Sequence, residues 1–199
     1  GIINNNDTLA IYTNYGLTHA FKGSQSNIIN PQLSIIPDQP FVVKGNWGTA
    51  SIYLGDLNNP ITDINGVAFT VDFNKNLIEP NNIYIDYQNS FLDASQNLHF
   101  RKLNFLNGKI YTATTHTISS NVAGYGKIAT LHYQIKSNLT TDQILNIGLS
   151  LANQSDALGS ITPLTSGTGT LMAIGNGVGV IESLNNNYLI SIAPNPTNG

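Results

Sequence analysis

The residue types that perform most protein chemistry are sparse in this chain and are not grouped at catalytic spacings. The chain has no cysteine, which excludes thiolate nucleophiles, disulfides and cysteine-ligated metals. The four histidines are isolated, without the HExxH spacing of a zinc site: His19, His99, His116 and His132. Neither a G-x-S-x-G elbow nor a phosphate-binding loop with a following Lys-Ser/Thr occurs.

Carboxylates could still act in pairs, as in the glycosidases. The candidates are numerous, but nearly all lie beside Asn, Pro or Gly in segments typical of turns: Asp56, Asp63, Asp72, Glu79 and Asp86. We therefore interpret them as turn residues and predict that the chain is not an enzyme, with no catalytic residue and no certain cofactor.

The charge balance restricts the possible partners. Charged residues make up 10% of the 199 residues, and 8 Lys+Arg against 11 Asp+Glu give a formal net charge of -3. Without a basic patch the chain cannot neutralise a phosphate backbone, which argues against nucleic acid as a partner. No apolar run approaches the roughly 18 residues of a membrane helix, so we do not expect the chain to span a membrane.

Trp47 is the only tryptophan and lies just before a predicted strand. A single tryptophan is usually a core residue, and core packing is the preferred interpretation. The alternative is an exposed platform on which a sugar ring stacks, with some of the nine tyrosines as further candidates.

Hydrophobic periodicity predicts an all-β protein. In Gly66 to Asn74, Val67, Phe69, Val71 and Phe73 alternate with Ala68, Thr70 and Asp72. In Lys127 to Lys136, apolar residues alternate in the same way with Thr130, His132 and Gln134. The six polar or small residues are the candidate partner-binding face: Ala68, Thr70, Asp72, Thr130, His132 and Gln134.

Nine such strand-like runs occur between residues 41 and 182, separated by turn residues, and predict a β-sandwich. The dipeptide Asn107-Gly108 predicts a hairpin with a type I′ turn. One short helix is expected from Asn6 to Tyr15, with Asp7 as its N-cap. The proline-containing stretch 19–40 is interpreted as a linker packed on the domain, and 183–199 as a second junction.

The body of the chain resembles a cohesin-type domain of surface and adhesion proteins. The resemblance rests on Leu54-Gly55-Asp56 at the end of an early strand, Gly66-Val67-Ala68-Phe69, the Asp72-Phe73-Asn74 turn, and Gly124-Tyr125-Gly126 before a core strand. It implies a nine-stranded jelly-roll-like sandwich over residues 41–182, without catalytic activity, that binds a partner module through one flat sheet face. The strands that carry the six candidate residues would then be neighbours in one sheet.

Residues 1–18 resemble the back half of a dockerin-type calcium repeat. If Gly1 is loop position 6, Asp7 falls at position 12, the last ligand of the loop. The first three ligand positions would precede Gly1, so Asp7 could bind Ca²⁺ only if the upstream loop were restored. Calcium is therefore possible only in the full-length protein.

The other end, Tyr188 to Gly199, resembles the opening of the C-terminal sorting domain of type IX secretion substrates, with its Pro194-Asn195-Pro196 turn. Together these features predict a non-catalytic extracellular or cell-surface module of a larger protein, in adhesion or complex assembly. Its partner would be a protein module or a surface glycan. The alternatives are a carbohydrate-binding module of a polysaccharide-degrading system, for which Trp47 is the candidate, and a structural spacer.

Overall fold

The alternating segments form the strands of a two-sheet sandwich in the computed structural model, which describes residues 32–92, 97–118 and 120–176. Regular structure in these residues consists of thirteen strands and one 3₁₀ turn, Phe105–Asn107. The strands are β1 (Leu33–Pro37), β2 (Phe41–Val43), β3 (Trp47–Leu54), β4 (Ile61–Ile64), β5 (Gly66–Phe73), β6 (Ile78–Asp86), β7 (Asn97–Asn104), β8 (Lys109–His116), β9 (Val122–Gly124), β10 (Gly126–Ile135), β11 (Gln143–Ser155), β12 (Ile161–Pro163) and β13 (Thr168–Ile174).

The smaller layer is a four-stranded antiparallel sheet in the order β1-β3-β10-β6. The larger layer has seven strands in the order β2-β13-β11-β5-β8-β7, with β12 also paired to β11. Its pairs are antiparallel except β2 with β13, which is parallel. Strands β4 and β9 form a separate two-stranded pair.

The inner faces of the two sheets form one apolar core. Val67, Phe69 and Val71 of β5 are buried, as the alternation predicted, and so are Leu131 and Tyr133 of β10. Burying an aliphatic or aromatic side chain of this size stabilises the fold by about 1.5–3 kcal/mol. Ile128 departs from the pattern: it is buried together with Ala129, because a register shift between Lys127 and Ala129 interrupts the alternation.

The predicted count of nine strands is wrong. Each of the nine predicted runs overlaps a strand. Four further strands, of three to five residues each, were not predicted: β1, β4, β9 and β12. The linker assignment of 19–40 is wrong for Leu33–Pro37, which form β1 with Leu33 and Ile35 buried. Of the prolines that suggested a linker, Pro37 ends this strand and Pro40 follows it, while Pro31 lies outside the described residues. The predicted helix and Asp7 lie outside the described residues.

The hairpin between β7 and β8 is present, but its turn is not a two-residue type I′ turn. The chain passes through the 3₁₀ turn Phe105–Asn107 and reverses at Gly108, where φ is 62°. A Cβ at Gly108 would lie 2.3 Å from the carbonyl oxygen of Phe73, so glycine is required for space as well as for the left-handed backbone. This turn fixes the register of β7, the edge strand of the larger sheet.

Candidate binding faces

The six predicted face residues do not share a face. Ala68, Thr70 and Asp72 lie on β5, in the seven-stranded sheet, whereas Thr130, His132 and Gln134 lie on β10, in the four-stranded sheet. The expectation that these two strands are neighbours is therefore wrong. Alternation within a strand shows which residues point outward but not which sheet the strand joins, so the candidates are divided between two opposite outer faces.

The outer face of the larger sheet, here called the large face, is built from rows of cross-strand neighbours. One row runs Phe100–Ala113–Ala68 across β7, β8 and β5, and the next runs Lys102–Tyr111–Thr70–Ser150 on to β11. A third row contains Asn104, Lys109, Asp72 and Gly148.

Thr70 is not an exposed recognition residue, because it is only 2% exposed. Its strand lies in the interior of the sheet, and the larger side chain of Tyr111 and that of Ser150 flank it in the same row. Ala68, two residues away, is exposed and remains available on the surface.

Asp72 is held in a polar cluster rather than left free. Its carboxylate pairs with the ammonium group of Lys109 and accepts a hydrogen bond from the Ser150 hydroxyl. The hydrogen bond with Asp72 raises the pKa of Lys109. Ser150 lies beside Thr70 in its row, and Asp72 and Lys109 lie in the next row, so the cluster forms a polar border to the apolar part of the large face.

Two exposed apolar residues of β7, on the large face, were not among the predicted site residues. Leu98 is 62% exposed and Phe100 is 54% exposed, both on β7. Their i, i+2 spacing could have identified them, because apolar residues alternate there with His99 and Arg101. The alternation was recognised only as a strand pattern, since the sequence does not indicate that β7 is an edge strand with its apolar side facing solvent.

Contacts with the smaller sheet hold β7 in place. The Tyr87 ring stacks on His99 with centroids 4.2 Å apart, and its hydroxyl donates to the carbonyl oxygen of Phe100 at 3.0 Å. The Arg101 guanidinium donates to the carbonyl oxygen of Ile85 at 2.7 Å. Burial raises the pKa of Tyr87, so the hydroxyl stays protonated. Since these contacts cross the open edge between the sheets, they fix the strand that carries Leu98 and Phe100.

The outer face of the four-stranded sheet, here called the small face, carries an exposed aromatic cluster. Trp47 is 49% exposed, so the preferred interpretation of a core tryptophan is wrong. Its ring lies edge-on to Tyr84 with centroids 6.0 Å apart, and Tyr84 stacks on His132 with centroids 4.7 Å apart and planes within 4°. Gly48, the next residue, takes the inward position instead and faces the Tyr133 ring.

The remaining predicted residues of the small face differ in availability. The Gln134 amide accepts from Asn82 and donates to the carbonyl oxygen of Gly45 at 2.6 Å, so it fixes the turn before Trp47. Thr130 is partly exposed and lies between Ser51 and Asp86 in its row. Gln134 is therefore a positioning residue for the aromatic cluster, whereas His132 belongs to the cluster itself.

Two carboxylates accept hydrogen bonds from backbone N–H groups in turns: Asp56, which was predicted to be a turn residue, and Asp156, which was not among the predicted residues. Asp56 accepts from the backbone N–H groups of Asn58 and Asn59, and Asp156 accepts from those of Leu158 and Ser160. The N–H of Asn58 is the main cause of the lowered pKa of Asp56, and the N–H of Ser160 lowers that of Asp156.

In residues 32–92, 97–118 and 120–176, no three His, Asp or Glu side chains come close enough to hold a metal ion. The same residues contain no helix long and apolar enough to cross a membrane.

Neither a protein-family model nor a curated protein matches the chain. Several solved structures, in contrast, match it. A cohesin module from a Clostridium perfringens family 33 glycoside hydrolase matches with a TM-score of 0.55 and 14% identity, over 73% of this chain and 99% of that chain. A type II cohesin domain from the Acetivibrio cellulolyticus cellulosome matches with a TM-score of 0.56 and 11% identity, over 71% and 95%.

A type I cohesin–dockerin complex from Clostridium thermocellum also matches, with a TM-score of 0.55 and 13% identity, over 72% of this chain and 99% of that chain. At these identities the likeness establishes the fold alone. The described domain is an all-β sandwich with the fold of cohesin modules.

Proposed function

We propose that this chain is a non-catalytic binding module that recognises a partner protein module through its large face. The observation that carries the proposal is the row Phe100–Ala113–Ala68, in which an exposed aromatic ring stands beside two small side chains on one sheet surface. The fold it shares with solved cohesin modules, one of them in complex with a dockerin, supports the same function.

The composition of the large face suits a protein interface. Leu98 and Phe100 supply apolar side chains of the kind that form interface centres, and the small residues beside them allow close approach of a flat partner surface. The Asp72–Lys109–Ser150 cluster forms a polar border on one side. A stable complex needs about 800 Å² on each partner, which a face several strands wide can provide.

The setting of the module is part of the same proposal. We infer an extracellular or cell-surface protein in which residues 1–18 end a dockerin-type repeat and residues 183–199 open a sorting domain. Asp7 would then bind Ca²⁺ in the full-length protein together with ligands upstream of Gly1. Adhesion and complex assembly are both compatible with such a module, and a dockerin-type module is the partner class we expect.

The experiment is a binding assay on the full chain, immobilised for biolayer interferometry against purified dockerin-type modules encoded by the same genome. We expect saturable binding to at least one module. Phe100→Arg should weaken it by at least about 30-fold, roughly 2 kcal/mol, as at a hot spot.

Leu158→Arg is the matched control, because Leu158 is 92% exposed on a loop away from the row. It should change the affinity by less than about twofold. Equal losses in both variants would refute the assignment of the large face. No binding to any module would refute protein recognition of this class and favour the spacer.

A further inference from the structure

The small face carries a feature that partner binding through the large face does not use. The exposed Trp47 and Tyr84 and the half-buried His132 form a continuous aromatic cluster on three different strands. The two sheets lie between this cluster and Phe100, so one flat partner on the large face does not cover both. The cluster therefore needs an explanation of its own.

The polar atoms of the cluster are available to a ligand. Within the described residues, the indole N–H of Trp47, the Tyr84 hydroxyl and the His132 ring nitrogens make no hydrogen bond. The polar neighbours are instead held in place: Gln134 bonds Asn82 and Gly45, while Thr49 bonds the Gln39 side chain. The site thus combines fixed surroundings with two exposed rings and with ring polar atoms that have no hydrogen-bond partner.

The charges around the cluster restrict the chemical class of the ligand. The row through the cluster is Thr49–His132–Tyr84, and the adjoining row contains Trp47 and Gln134. Within the strands, neither row contains a Lys, Arg, Asp or Glu. The charged groups beside them are carboxylates: Asp38, whose N–H donates to Thr49 and whose carboxylate accepts from Ser51, and Asp86, in the row beyond, opposite Thr130. A phosphate or carboxylate ligand would lack an ion-pair partner there, so the site favours a neutral ligand over an anionic one.

We infer that the small face binds a neutral oligosaccharide through Trp47, Tyr84 and His132. The C–H groups on one side of a pyranose ring are slightly positive and pack on the negative face of an aromatic ring. Its hydroxyls both donate and accept, which suits the indole N–H, the phenol and the imidazole. A protein partner would instead require a much larger apolar surface than three rings set among hydrogen-bonded amides and hydroxyls.

The chain itself provides the probe, because Trp47 is its only tryptophan. Tryptophan fluorescence of the full chain therefore reports on this site alone. The titrants are cello-, xylo-, manno- and chito-hexaose, with a hexamer of galacturonic acid as the charged comparison. We expect a saturable change with at least one neutral sugar and none with the acidic one.

Two variants keep the tryptophan and locate the site. Tyr84→Ala should weaken sugar binding by at least about tenfold, whereas Phe100→Ala on the large face should change it by less than about twofold. Far-ultraviolet circular dichroism checks that both variants are folded. Retention of wild type and Trp47→Ala on insoluble cellulose and chitin gives a second readout, in which only the wild type should be retained.

The inference is wrong if no neutral hexaose changes the fluorescence up to its solubility limit. It is also wrong if the acidic hexamer binds as tightly as the neutral sugars, or if Tyr84→Ala binds them like the wild type. Failure of this proposal is distinguishable from failure of the protein-binding proposal, because Tyr84→Ala should leave dockerin-type binding intact and Phe100→Arg should leave sugar binding intact.

Discussion

Two tyrosines packed against the core differ in whether the hydroxyl has a hydrogen-bond partner, so the same substitution should have opposite effects at the two positions. Tyr133 is fully buried, and its hydroxyl has no partner among the described residues. Burial also raises its pKa, so that the unpaired hydroxyl stays neutral. The Tyr87 hydroxyl, in contrast, bonds both the carbonyl oxygen of Phe100 and the Thr112 hydroxyl.

The expected magnitudes follow from these contacts. A buried hydroxyl without a partner costs about 1–3 kcal/mol, so Tyr133→Phe, which keeps the ring, should raise the free energy of unfolding by about 1 kcal/mol. Tyr87→Phe removes a satisfied hydroxyl and leaves the buried Thr112 without that partner, so it should lower the free energy by about 1–2 kcal/mol. In a chain of this length each kcal/mol corresponds to about 2–4 °C in Tm.

The assay is urea unfolding of both variants and the wild type, followed by circular dichroism and by the fluorescence of Trp47. The linear slope with denaturant should be the same in all three, which makes the midpoints comparable. A loss of stability in Tyr133→Phe as large as that in Tyr87→Phe would refute the reasoning, because it would mean that the Tyr133 hydroxyl is satisfied in solution.

Three further predictions concern the outer faces and the turns. Ala68→Arg should change the free energy of unfolding by less than about 1 kcal/mol. Thr70→Arg should lower it by at least about 3 kcal/mol, because a charge would replace a buried side chain. Equal stabilities of the two variants in urea would contradict this prediction. Gly48→Ala should lower the free energy of unfolding by about 1–3 kcal/mol, because the added Cβ would lie 2.7 Å from Val42 and 2.8 Å from the Tyr133 ring. An unchanged Tm would contradict this prediction. In the folded state, backbone N–H donors chiefly lower the pKa values of three partly exposed carboxylates: Asp56, Glu79 and Asp156. Their contribution to stability is therefore present above the ordinary pKa values and is lost as the pH falls through the lowered ones. Calorimetry should therefore show Tm falling from about pH 5 to pH 3, and a rise over that window would contradict the assignment.

The period-two pattern of single strands predicted the inward residues well, as Val67, Phe69 and Val71 show. It could not predict which strands pair, because pairing depends on contacts far apart in the chain. The candidate residues of β5 and β10 were for this reason assigned to one face although they belong to opposite sheets. Short strands such as β1 were also missed, since Pro37 and Pro40 dominated the local signal.

The exposure of individual residues was harder still to predict. Thr70 is buried by its cross-strand neighbours, and Trp47 is exposed because Gly48 occupies the inward position beside it. Neither effect is encoded in the residue type itself. The aromatic cluster of the small face likewise depends on sheet order, because Trp47, Tyr84 and His132 come from segments of the chain that lie far apart.

The most direct test of the central claim is an amide chemical-shift map of the ¹⁵N-labelled full chain, titrated with the dockerin-type module that it binds most tightly. The account predicts that the largest shifts lie on the large face, at Ala68, Leu98, Phe100 and Ala113. Amides of Thr49, Tyr84 and His132 on the small face should remain unshifted. Shifts concentrated on the small face, or no shifts with any module, would contradict the claim that this sandwich recognises a partner through its larger sheet.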